Sequence, residues 1–418
     1  MVVLGNACLG KLVSAGKIAG MGTNSGARPS RGNAQEHLRR ANAATVLKEI
    51  FLHPGQSRRE IAEATGLSAA TLTPVALRLI GSGLVMEGAP VSTGQGRPRI
   101  PLRIDPQGPL SLGIHLGPRI SGVVLTDLLG AEVASVLVAH EGDASQTLGL
   151  IADAADVLLA QHAEGRVILG TGVASGGIVD GPAGVIKENR GADWTEVPVV
   201  DLLSDRLPGP ILVDHNTRAA AQYELLYGHG RDTPDFLLIV STADLGAVLV
   251  DHGRIRHGAH SFAGGLDHLR VGGPDLPCAC GSSGCLVTVG QDDAVVQRCI
   301  DAGVHGVRNY DDVERLDELG EPTVRRIVDE RDAALGVAAT VLGEMLDPAL
   351  IVVFGTPVEV PRHLPVIREA ARESGRSGAD VAARITASTD HRLSLSIVAA
   401  SLVVARLLED PLGLVTFA

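Results

Sequence analysis

A chain of 418 residues is too long for one compact core and points to two or three domains. Apolar residues make up 45% and aromatics only 2%, so the cores must be built from Ala, Val, Leu and Ile. No run of about twenty apolar residues is free of charge, which argues against a membrane-spanning helix. The net charge of −12 is uneven: residues 1–104 hold 13 Lys/Arg against 5 Asp/Glu, a balance of +8, leaving −20 on the other 314 residues. A basic head on an acidic body points to a small anion-binding module attached to a larger one, beyond the solvated basic face that charge alone implies.

Residues 1–30 lack the long apolar run of a signal sequence, and glycine interrupts each short one. They read as a disordered leader, with Met21 a second candidate for the start. In 38–51 (LRRANAATVLKEIF), Val46, Leu47, Ile50 and Phe51 recur at helical spacing. Ser57 with Glu60 forms a capping box for a second helix that ends at Gly66. Ser68 caps a third, ended by Gly81 and Gly83, with Leu72, Val75 and Leu79 inward and Ser68–Arg78 as the recognition helix. Pro74 inside that helix should delay its start or kink it. Leu84–Met86 and Ile100–Ile104 then read as paired strands around the tip STGQGRPR. The unit 31–104 is therefore expected to be a winged helix-turn-helix bound to a double-stranded DNA operator. Ser68, Thr71 and Thr73 are placed at base edges or phosphates, Arg58 and Arg59 at phosphates. Arg97, Pro98 and Arg99 form a wing tip suited to phosphates or a narrow minor groove. A winged helix that contacts only protein is the alternative.

From Leu112 onward apolar strands alternate with helices. ISGVVLTDLLGAEVASVLVA reads as two strands, Ser145–His162 as a helix and VILGTGVASGGIVD as a buried strand entering a glycine turn. PILVDHN is a strand before the helix TRAAAQYELLYGHG, and FLLIVSTADLGAVLVDHG is a hairpin. Val324–Leu346 and Leu393–Leu408 are helices flanking the strand ALIVVFG. This order implies an α/β body of two lobes. Near the centre of the chain lies His268-x9-Cys278-x-Cys280-x4-Cys285, with three of the five cysteines inside eight residues. One imidazole and three thiolates fill a tetrahedral structural zinc site and leave no open position. Thiols committed in this way suit a reducing cytoplasm.

The body resembles the ROK family, sugar kinases and sugar-responsive repressors on an actin-like ATPase fold. The zinc loop HLRVGGPDLPCACGSSGCL carries the resemblance most specifically. GVASGGIVDG, WTEVPVVDLL and VDHNTRAAAQYELLYGHGR support it, and the head with its Gly-Arg-Pro wing is similar to the repressor branch. The resemblance implies a leader at 1–30, the head at 31–104, a first lobe at 105–226 with a terminal helix at 393–410 returning to it, and a second lobe at 227–392 holding the zinc loop. It also implies ligand contacts at Gly177, His215, Asn216 and His268.

Several positions depart from the kinase pattern. Where ROK kinases carry Asn-Asp, the Asp being the base that deprotonates the sugar, this chain has His215-Asn216. An amide cannot be a general base, a role worth roughly 10²–10⁴-fold. The phosphate loops match as His115–Arg119, Thr242–Ala247 with Asp244 in the cradle, and Gly355-Thr356. Both sugar-gripping glutamates are missing, at Gly265 and Val287. The expectation is a repressor, not an enzyme, with a homodimeric or larger body that senses a sugar or sugar-phosphate effector. The alternatives are an ATP-dependent sugar kinase with an added DNA-binding domain, and a ligand-independent regulator controlled by a partner protein.

Overall fold

The computed structural model describes residues 31–92, 98–271, 276–355, 362–389 and 394–414, with backbone alone for 31–34. Contacts divide the chain into one unit ending at Arg39 and one beginning at Arg40. Of the first, the described part is the opening of helix α1. The expected boundary near 104 does not appear as a break in contacts, because residues 40–104 cluster with the body.

The head comprises α1 (Arg31–Leu52), α2 (Arg58–Thr65), α3 (Ala69–Gly81) and the antiparallel strands β1 (Val85–Glu87) and β2 (Leu102–Ile104). Val46, Leu47, Ile50 and Phe51 of α1 are buried together. At α2 the Ser57 hydroxyl accepts from the Glu60 N–H, and the Glu60 carboxylate accepts from the Ser57 N–H at 2.8 Å. Gly66, at φ 69°, ends α2 in a left-handed turn that favours glycine. Ser68 caps α3 by accepting from the Thr71 N–H at 3.2 Å. Pro74 does not delay the start of α3, which begins at Ala69, right after its Ser68 cap. Ala70, whose carbonyl loses its partner, is exposed like Pro74 itself, so water can take up the bond. The first strand is shifted by one residue, leaving Leu84 outside it, and the second is shorter than expected, beginning at Leu102. An isolated bridge, Val91 to Arg99, extends the arms, and the tip including Arg97 lies outside the described residues.

The body begins with β3 (Leu110–Leu116), β4 (Ile120–Thr126), β5 (Glu132–Ala139), α4 (Ala144–His162) and β6 (Ile168–Ser175). β6 is buried almost throughout, as a central strand with a parallel neighbour on each side must be. A small antiparallel sheet of β7 (Ile178–Asp180), β8 (Val185–Asn189) and β9 (Trp194–Pro198), unanticipated from sequence, precedes α5 (Val199–Leu203), β10 (Ile211–His215) and α6 (Asn216–Tyr227). The first large sheet has the order β10-β6-β3-β4-β5.

The second large sheet contains β11 (Phe236–Ser241), β12 (Leu245–Asp251) and β13 (Arg254–Ile255). Helices α7 (Val287–Gly290), α8 (Asp292–Asp301), α9 (Tyr310–Glu318) and α10 (Pro322–Leu346) follow the cysteine loop. Then come β14 (Leu350–Phe354), α11 (His363–Glu373), α12 (Gly378–Arg384) and β15 (Ile385–Ala387), giving the order β13-β12-β11-β14-β15. The chain closes with α13 (Leu395–Glu409) and α14 (Pro411–Leu414).

Helix α13 packs on β3, β4, β6 and α6 of the first sheet layer. Two glycines make this possible: a Cβ on Gly113 would lie 2.1 Å from the Ser396 carbonyl, and one on Gly172 1.9 Å from that of Ala399. Val398 and Ala399 of α13 and Ala219–Ala221 of α6 share a core with Phe236, Leu238 and Val352 of the second sheet. On its other side, α13 gives Val403, Val404 and Leu407 to the core of the head, joined there by Leu128, Leu169 and Leu226. Head and body thus share one apolar cluster.

Candidate functional site

The metal ligands expected from sequence converge. One ligand atom each from His268, Cys278, Cys280 and Cys285 lies within 4.8 Å of the other three. The Cys280 and Cys285 sulfurs are 3.7 Å apart, and the Cys278 sulfur is 3.5 Å from the His268 Nδ1. A tetrahedron with metal–sulfur bonds of about 2.3 Å has edges of about 3.8 Å, close to these two separations, so the four groups could hold a zinc-sized ion. Gly281 and Gly284, at φ 84° and 69°, take the left-handed turns that fold Cys280 and Cys285 together. The Ser282 backbone draws the Cys280 thiol down to about 7, and burial pushes Cys285 up to about 11.

A second group forms where α6 starts. His215 caps that helix: its Nδ1 accepts from the Thr217 N–H at 3.1 Å and lies 2.9 Å from the Thr217 hydroxyl. That acceptor role places the proton of the neutral ring on Nε2. Burial lowers the pKa of His215 while the Asp244 carboxylate opposes the shift, and His115 is lowered by the same balance. The buried Asn216 donates Nδ2–H to Asp244, in the turn between β11 and β12. This bond joins the first helix after β10 to the second sheet. Gly177, at φ 84°, faces β8, where a Cβ would meet the Glu188 carbonyl at 2.1 Å. Its neighbour Gly176 is the glycine that faces Asp244. His268 sits in the metal cluster, and the preceding residue, Asp267, acts electrostatically on His215.

Sequence reasoning missed a buried partner set beside this group. Arg218 donates through Nε to Asp214, through one terminal nitrogen to the Ser261 carbonyl and through the other to the Val179 carbonyl, the last two at 3.1 Å. Burial would raise the Asp214 carboxyl, but His257, 3.4 Å away, and Arg218 more than offset it and hold it below its ordinary value. The signal available was Asp214 and Arg218 at i and i+4 across a strand-to-helix junction.

The head presents an open surface. Ala69, Ala70, Thr73, Pro74, Leu77 and Arg78 of α3 are exposed, and a groove of about 520 Å³ between α2 and α3 is lined by Arg58, Arg59, Ser68 and Thr73. Ser68 and Thr71 are engaged with each other at the cap, and the Thr73 hydroxyl donates to the Ala69 carbonyl at 2.8 Å. The expected phosphate contacts carry internal partners: Arg58 with Glu87 at 2.6 Å, Arg59 with Glu63 at 2.8 Å and Arg99 with Glu60 at 2.7 Å. Pro98 is exposed.

Helix α6 links the two regions. It starts at Asn216 in the cleft group and ends at Tyr227, whose ring packs on Phe51 of α1. Just beyond it, Arg231 donates to the Leu52 carbonyl at 2.7 Å, at the C-terminus of α1.

The sequence matches the ROK family over residues 112–405. It is 31% identical over 397 residues to Transcriptional regulator Rv0485 of Mycobacterium tuberculosis (strain H37Rv), covering 90% of this chain and 88% of that protein. It is 24% identical over 337 residues, 78% of this chain and 83% of the relative, to the DNA-binding transcriptional dual regulator NagC of Escherichia coli (strain K12). Among solved structures, a ROK family transcriptional regulator described as a homolog of the E. coli MLC protein superposes with a TM-score of 0.75 at 23% identity. That superposition covers 89% of this chain and 97% of the other, which establishes the shared fold. The actin-like α/β body, the His268–Cys285 loop and the match across most of the chain lead to one assignment: this protein belongs to the ROK family.

Proposed function

We propose that this protein is a DNA-binding transcriptional repressor whose ROK body senses a small ligand and performs no phosphoryl transfer. The observation that carries the proposal is the outward face of α3 on a basic head whose core is continuous with α6 and α13. In this reading residues 31–104 are a winged helix-turn-helix. α3 enters the major groove, Thr73 and its neighbours approach base edges, and Arg58, Arg59 and Arg99 exchange their glutamate partners for phosphates. Arg97 and Pro98 extend the wing. A two-fold dimer would present two such heads to two half-sites.

The body lacks the chemistry of a kinase. The amide of Asn216 cannot take a proton, and the neutral His215 already carries one on Nε2, its other nitrogen being used at the helix cap. Asp244 puts negative charge where a phosphate cradle needs N–H donors. Gly177, His215, Asn216 and the region of His268 remain as an effector site, and α6 provides the path from that site to the head. Zinc held by His268, Cys278, Cys280 and Cys285 would cross-link the loop between β13 and α7 and keep Asp267 beside His215.

The test is binding of the purified protein to the DNA upstream of its own gene, against random duplex of equal length. A sequence preference that weakens in the presence of a sugar-type ligand is the expected result. Turnover of ATP with a sugar panel, abolished by His215→Ala, is the result that establishes the kinase alternative instead.

A further inference from the structure

The effector-site reading leaves open what chemistry the ligand carries, and the polar groups of the cleft speak to it. Resting on that reading, we infer that the cleft binds a hydroxylated ligand bearing a protonated amine, in preference to a phosphorylated or uncharged sugar.

Asp244 is fixed in the β11–β12 turn: its N–H donates to the Thr242 hydroxyl at 3.1 Å, and its carbonyl accepts from the Thr242 N–H at 2.9 Å. One carboxylate oxygen accepts from Asn216, and the other faces Gly176, 3.0 Å from where a Cβ would stand. Among the described residues no Lys or Arg forms an ion pair with Asp244. Arg218, the nearby cation, spends its nitrogens on Asp214, Ser261 and Val179. His115 and His215 are kept neutral by burial and do not compensate the carboxylate.

An independent observation points the same way. The Oδ1 of Asn216 is buried without a hydrogen-bond partner, although the residue is only 4% exposed. A carboxylate and an orphaned amide oxygen, both acceptors, therefore belong to one hydrogen-bonded pair of residues. An ammonium group offers up to three donors and a positive charge, the complement of such acceptors. The Nε2–H of His215 remains to donate to a ligand hydroxyl.

A phosphate meets the opposite environment, since like charge at Asp244 repels it and neither free acceptor can serve it. A bare divalent cation is also a poor match. Among the described residues, only the His268 cluster and the surface group Asp235, Asp251 and His252 bring three such ligand atoms within 4.8 Å. An amine that inserts at Asp244 competes with the Asn216–Asp244 bond, which is the bond between the start of α6 and the second sheet.

The experiment is calorimetric titration of the full-length, zinc-loaded protein with glucosamine, galactosamine and mannosamine. Their N-acetyl forms, the parent hexoses and the hexosamine 6-phosphates are titrated in parallel, and operator binding is measured on the same preparation. At least one free amine should bind about tenfold or more tightly than its N-acetyl and parent forms, with no gain from a 6-phosphate. Asp244→Asn, nearly isosteric, should abolish that preference, with its circular dichroism melt showing that it folds. Equal or tighter binding of neutral or phosphorylated sugars overturns the inference, as does no binding of any amine, or an amine preference that survives Asp244→Asn. Failure to bind operator sinks the regulator reading instead, while the calorimetric ranking still decides the ligand class.

Discussion

The ring of Tyr227, the last residue of α6, lies 5.8 Å from the ring of Phe51 in the last turn of α1, tilted by 58°. The Tyr227 hydroxyl donates to the Leu128 carbonyl at 3.1 Å, and Tyr223 packs on its other side at 4.9 Å. α6 is therefore anchored in the head at one end while its other end carries His215 and Asn216. Any shift of α6 along or about its axis must move α1 or break this contact.

Phe51→Ala should cost about 3–5 kcal/mol, because it empties a buried aromatic site shared by head and body. Tyr227→Phe should cost only about 0.5–1.5 kcal/mol, since the ring pair survives and one hydrogen bond is lost. Chemical denaturation checks both. Arg231→Ala is expected to leave the core intact and to weaken the effect of ligand on DNA affinity, read by anisotropy titrations with and without effector.

On the head, Glu63 holds Arg59 in an exposed pair that phosphate must displace. Such exposed pairs are weak, so Glu63→Gln should tighten operator binding by no more than about a few-fold. Arg59→Ala should weaken binding about equally on all sequences and reduce the slope of log affinity against log salt by about one. Titrations at several salt concentrations measure both.

The cysteine loop should bind one zinc per chain, measured by elemental analysis. Removal by a strong chelator, or Cys278→Ser, should lower the melting temperature and loosen the loop that carries Asp267. Affinity should fall as pH drops, because His268 and the thiols must be deprotonated to bind. A melting curve indifferent to chelator would show that the loop holds without metal.

Much of this architecture was legible in the sequence because its signals are local. The capping box at Ser57 and Glu60, the stripe Val46–Phe51 and the cysteine spacing each depend on a few neighbouring residues. Three features were not. Pro74 was expected to delay or kink α3 because the outward position of Ala70 and Pro74 depends on how the helix is packed. Asp244 was identified as hostile to phosphate, but its bond to Asn216 crosses between residues far apart in the chain. The Phe51–Tyr227 contact joins positions 176 residues apart, and no local pattern pairs the two residues. The same holds for the buried His363, between Asp332 at 2.6 Å and Asp317 at 3.4 Å.

That histidine gives a pH prediction. Burial would lower its pKa, but Asp317 and Asp332 more than offset this and raise it to about 9. A histidine raised in the folded state stabilises the protein fully below its unfolded value, near 6.5. The contribution is lost as pH rises through about 9. Stability should therefore decline between about pH 6.5 and 9. His363→Gln should flatten that decline and cost about 3–5 kcal/mol at neutral pH, because it leaves the buried Asp332 without its partner while Asp317 keeps Arg362. Denaturation midpoints across this range, for both proteins, test it.

The most direct measurement is the affinity of the purified protein for the DNA upstream of its own gene, relative to random duplex, at about 0.15 M salt. The account predicts a preference of about 10³-fold or more, falling steeply with added salt. Equal affinity for the two DNAs, with or without zinc, would contradict it.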